Sequence, residues 1–158
     1  MTLRIVVADE RQANFFDAAN PGSLIAQGSI VNGAAGLKDR DLETDREGRR
    51  HGGTGGMSHS GGAPQTHHHG VDGERSTEIH DLSLFAKAVA QRIDAERASN
   101  SFDRLVIIAS PKVLGLLRKA LPAQSEAALA AEIPKDLLHR GPHAILGALP
   151  KGIFSRIH

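Results

Sequence analysis

The sequence predicts an α/β fold: one mixed five-stranded sheet with helices packed on it, in a single domain over residues 1–158. Two β-branched apolar runs, LRIVVAD and FDRLVIIAS, read as strands covered on both faces. Three short strand-like segments fill the first 32 residues and are joined by connections too short for a crossover. From Ser76 onward, strand patterns alternate with helical ones, as in parallel β-α-β units.

LRIVVAD opens the chain as a central strand. RQAN makes a turn, and Asn14 begins a second strand, NFFDAA. The Pro-Gly pair in AANPGS marks the next reversal, and SLIAQGSIVN forms the third strand with Gly28 as a bulge candidate. These three strands should form an antiparallel meander.

After Ser76 or Thr77, either of which can cap a helix, Ile79, Leu82, Ala86, Val89 and Ile93 recur at steps of three and four, with Phe85 beside them. That spacing predicts one apolar helix face, closed by SNSF. FDRLVIIAS ends at Ser110-Pro111, a hydroxyl at the cap position and proline at the first helical residue. PKVLGLLRKAL is then a helix with Val113, Leu114, Leu117 and Leu121 inward. A helical turn over AQSEA, a strand near LAAEIP and a helix HAILGAL after Gly141-Pro142 complete the order.

Between the halves lies a segment that a packed core does not need, predicted as a long solvated loop over residues 38–75. KDRDLETDREGRR carries five positive and five negative charges. RRHGGTGGMSHSGGAPQTHHHGVDGER follows with eight of the seventeen glycines and five of the nine histidines.

Several function classes are excluded by what the chain lacks. With no cysteine there are no disulfides, thiolate zinc sites or cysteine nucleophiles. Without Trp or Tyr the usual stacking platforms for single-stranded nucleic acid are missing. No phosphate-loop string occurs, and in the dinucleotide pattern Gly53 and Gly55 are followed by Ser58 where a third glycine belongs. There is no Gly-x-Ser-x-Gly elbow, and Ser110 is accounted for as a cap. No apolar stretch is long enough for a membrane span, and the N-terminus lacks a signal-peptide core, so a cytoplasmic, membrane-free protein is expected.

Two loop clusters carry candidate chemistry. His67, His68 and His69 offer imidazole ligands, but a glycine-rich loop supplies little to fix them, so adventitious zinc or nickel is the expected occupant and no cofactor is called for. Arg46, Arg49 and Arg50 form a basic cluster, offset by Asp45 and Glu47, that could meet RNA phosphate.

RRHGGTGGMS resembles the loop of the middle domain of archaeal and eukaryotic class-one translation release factors, which carries basic residues, His-Gly, then Gly-Gly-Gln and Ser. His51, Gly52, Gly55, Gly56 and Ser58 match, and Met57 stands where that family has glutamine. The order of meander, loop, long helix, strand and helix is similar too, which implies an RNase H-like topology. More broadly, RIVVADERQANFFDA, DLETDREGR, HDLSLFAKAVAQRI and LVIIASPKVLGLLRKAL resemble the bacterial host-attachment protein family, itself thought to be related to that domain. The loop is expected to contact a partner through residues 46–58, either a protein or, as the resemblance implies, the ribosome or transfer RNA. Methionine brings only a weak thioether acceptor where glutamine would help position water, so the reading favours a non-enzymatic factor over a degenerate peptidyl-tRNA hydrolase. Metal handling by the histidine tract is the remaining alternative. A direct surface adhesin fits poorly with the absence of an export signal.

Overall fold

The computed structural model describes residues 2–33 and 63–155, with side chains of the long helix described from residue 77. It shows one five-stranded sheet in the order β3-β2-β1-β4-β5. The strands are β1 (Leu3–Ala8), β2 (Gln12–Ala18), β3 (Ile25–Val31), β4 (Arg104–Ala109) and β5 (Leu129–Ile133). The helices are α1 (Ala63–Ala98), α2 (Pro111–Ala120), α3 (Ala123–Ala128) and α4 (Pro142–Ala148). β1, β2 and β3 pair antiparallel, and β4 lies parallel to both β1 and β5. The mixed sheet predicted from the sequence is therefore present.

Both faces of the sheet are covered, which explains the unbroken apolar runs. Val6, Ala8, Leu105 and Ile107 point into a core with Leu82, Phe85, Val89 and Ile93 of α1 and with Val113, Leu114 and Leu117 of α2. Leu3, Ile5, Val7, Val106 and Ile108 point the other way, against Leu137, Leu138, Ile145 and Ile153 of the C-terminal segment. Each Val, Leu, Ile or Phe among them, taken fully out of water, contributes about 1.5–3 kcal/mol.

α1 begins at Ala63, well before the expected start at Ser76. Its packed half supplies the costly nucleus, and each further turn adds backbone hydrogen bonds, so a local cap preference at Ser76 or Thr77 does not stop it. His67, His68 and His69 consequently fall on helix backbone, their side chains outside the described residues. Ile79, expected on the inner face, is 55% exposed; the buried face begins at Leu82. The helix ends as SNSF predicts. Asn100 takes the left-handed conformation (φ 59°), with Ser101 N–H donating to Glu96 C=O and Asn100 N–H to Arg97 C=O.

Two local expectations are refined. β2 starts at Gln12 rather than Asn14. The bulge falls where glycine suggested it: Phe15 pairs with Gly28 and Phe16 with Ala26, leaving Gln27 extra. Gly28 sits at φ +111°, and a Cβ there would lie 3.2 Å from Arg92 Nη2. Gly28→Ala is expected to cost about 1–2 kcal/mol in urea unfolding. An unchanged midpoint would mean that the bulge relaxes freely.

Candidate functional site

The ends of the parallel strands gather most of the chemistry visible on one edge. β1 is followed by Asp9, whose Oδ1 accepts from the N–H groups of Arg11 (2.7 Å) and Gln12 (3.0 Å). This turn carries Glu10 and Arg11 outward. Asn32, nearly buried, ties it to the end of β3: its N–H donates to Arg11 C=O (2.8 Å) and its Nδ2 to Glu10 C=O (3.0 Å). The chain toward residues 34–62 therefore departs beside the β1–β2 turn.

On the other side of β1, Ser110 joins the end of β4 at Ala109 to the start of α2 at Pro111. Ser110 precedes Pro111 as predicted, but its hydroxyl does not cap α2; Oγ is buried with no hydrogen-bond partner among the described residues. With ψ at 151° the backbone is suitably extended, so the failure lies in the side chain's direction. Lys112 follows, with Nζ 3.7 Å from Glu10 Oε2. Beyond β5, Lys135 and Asp136 lead to His139, whose Nε2 is 3.9 Å from Asp9 Oδ2, and to Arg140.

This edge thus presents Arg11, Lys112, Lys135, His139 and Arg140 among Asp9, Glu10 and Asp136. The Lys112–Glu10 and His139–Asp9 pairs are long, and Lys112, Glu10 and His139 are mostly exposed. Such pairs contribute about 0–1 kcal/mol, so an incoming phosphate competes for their cations at little cost. Carboxyl ends of parallel strands are also where open α/β sheets usually bind ligands.

Arg46, Arg49, Arg50, His51, Gly52, Gly55, Gly56, Met57 and Ser58 lie outside the described residues. Gly33, the described residue that precedes the undescribed stretch 34–62, adjoins this edge. Among the described residues, no group of three His, Asp or Glu is placed to hold a metal ion.

A second polar cluster, buried and absent from the sequence reading, underlies the sheet. Arg4, 2% exposed, donates from Nε to Asp17 Oδ1 (2.5 Å) and from Nη1 to Glu96, and lies 5.1 Å from the Phe102 ring centroid. Burial pulls its pKa down, but the hydrogen bonds and charges of Asp17 and Glu96 outweigh that and raise it above the ordinary guanidinium value. Glu96 also accepts from Arg92 Nε (3.0 Å), and Arg92 stacks over Phe15 (4.0 Å) while donating to Gln27 C=O (2.6 Å). The available signal was a lone arginine inside a doubly buried strand, which requires a counter-charge. The hairpin register sets Asp17 opposite it.

The family described as "Protein required for attachment to host cells" matches residues 4–149, spanning both halves of the sheet. The chain belongs to this host-attachment family. Among curated proteins, none matches it. In this host-attachment protein the matched region contains the Arg4 network, the strand-end edge and the intervening segment alike. No helix among the described residues is long and apolar enough to cross a membrane.

Proposed function

We propose that this host-attachment protein is a non-enzymatic cytosolic factor that contacts RNA, with the ribosome or transfer RNA as partner, through residues 38–75 and the adjoining strand-end edge. The observation that carries the reading is the placement of Arg11, Lys112, Lys135, His139 and Arg140 around the edge where Asn32 and Gly33 follow β3. Two basic sets separated in sequence would act on one face, which a weak net charge of +1 does not reveal. The strand order, with β1 central between an antiparallel and a parallel neighbour, is compatible with the RNase H-like topology of release-factor middle domains. Met57 in place of glutamine argues for contact without hydrolysis. Attachment to host cells would then be an indirect consequence of an RNA-level role.

The test is titration of transfer RNA and of ribosomes across a range of salt. Each phosphate neutralised contributes about −0.7 to −0.9 to the log–log slope. Replacing Arg11, Lys112, Lys135 and Arg140 together by alanine should flatten that slope by about 3–3.5 and weaken binding at least tenfold at low salt. Absent binding by the wild type, or an unaltered slope in the variant, would refute the proposal.

A further inference from the structure

β3 is the sheet's outer strand, and no charged residue occurs between Asp17 and Lys38. Edge strands normally carry charge, proline or a bulge to prevent pairing with another chain. Here the bulge guards only half of the strand. Arg92 Nη2 occupies the Gln27 carbonyl at 2.6 Å, blocking the edge at that point. Asn32 N–H bonds Arg11 C=O, so Asn32 and, by alternation, Ile30 face β2, while Ser29 and Val31 turn their backbone groups outward. Val31 is 59% exposed. Beside this half-strand lies an open groove of about 260 Å³ between β3 and α1, lined by apolar Ile30, Val31, Leu84, Phe85 and Ala88 together with Asn32 and Asp81. Leu84 is 50% exposed.

We propose that this edge and groove form a homodimer interface, the occupant being a second copy of the chain. A two-fold axis through Ile30 sets Ser29 of each copy against Val31 of the other and forms roughly four backbone hydrogen bonds. Pairing stops at Gln27, where Arg92 stands, which defines the register. An uncharged strand meets its own copy without like-charge repulsion. The same axis keeps both α1 helices on one face and runs them antiparallel. Leu84 and Ala88 then lie near the axis, with acidic Asp81 of one helix on the side of basic Lys87 of the other. Self-complementarity in charge, apolar centre and strand register favours a second copy over an unrelated strand.

The contact is small, so a weak, reversible dimer is expected. Sedimentation of the full chain from about 1 µM to about 1 mM should show a monomer–dimer equilibrium. Val31→Pro removes an outward N–H that β2 does not use, and Leu84→Glu places a charge at the axis. Each should raise the dissociation constant at least tenfold while thermal unfolding stays cooperative. A wild type monomeric throughout overturns the proposal, and protection of the Ser29 and Val31 amides from exchange in that monomer would assign the edge to the chain's own residues. A dimer indifferent to both substitutions, or growth into open-ended polymers, also overturns it.

Discussion

Replacing Arg4 with methionine is expected to lower the unfolding free energy by about 2–3 kcal/mol, measured by urea denaturation. Methionine keeps most of the buried stem in place, so the change isolates the charge. Arg4 is the cation between Asp17 and Glu96, and only 3% of its side chain is exposed. Without it Asp17 loses its guanidinium partner, whereas Glu96 keeps Arg92 at 3.0 Å. Breaking a fully buried pair costs about 3–5 kcal/mol; here the two carboxylates retain 18% and 26% exposure and partly rehydrate, which places the cost at the lower end. Adding Asp17→Asn to the variant should recover about 1 kcal/mol by removing the stranded charge. A loss below about 0.5 kcal/mol in the single variant would show that the network contributes little.

The sign of the pH dependence follows from the raised pKa of Arg4. A cationic group held more tightly in the folded state contributes fully below its unfolded pKa and is lost only as pH rises through the folded one. Both lie beyond the neutral and moderately alkaline range, so the difference between wild type and Arg4→Met should not shrink between neutral pH and the onset of arginine titration.

Phe15→Ala should be costlier, about 3–5 kcal/mol by the same measurement. Phe15 is completely buried within the core under α1 and α2, and it also supports the Arg92 guanidinium at 4.0 Å. The two contributions separate by chemistry. Phe15→Leu fills much of the volume but offers no π face, so it should cost about 1–2 kcal/mol, of which about 0.5–1 is the lost cation–π contact. In an Arg92→Met background that last part should disappear. An equal cost of Phe15→Leu in both backgrounds would mean that the stacking has no energetic consequence.

Much of the architecture was legible because burial leaves a periodic trace. A strand covered on both faces must be apolar at every position, so LRIVVAD and LVIIAS announced themselves. Steps of three and four from Leu82 to Ile93 likewise reported one buried helix face. Turn chemistry was equally direct, since the Gly28 bulge and the Asn100 helix end rest on φ values that favour glycine and asparagine.

The missed contacts depend on partners distant in sequence. Nothing local to Arg4 marks Glu96, and nothing local to Gly28 marks Arg92; those contacts exist because α1 crosses the meander. The strand-end edge was missed for a related reason. Arg11, Lys112, Lys135 and Arg140 are scattered singly and show no cluster until β1, β4 and β5 align in parallel. Only the segment around Arg46–Ser58 stood out as a motif, because its distinctiveness is compositional.

By itself, then, the sequence determined the elements, their order, both buried faces and the family resemblance, since each is written in residue type and spacing along the chain. Tertiary structure alone decided which charges meet beneath the sheet, which cations share its strand-end edge and which half of β3 has no partner strand on its outer side among the described residues. Those are distances between residues far apart in the chain, and they arise only when the sheet closes and the helices dock.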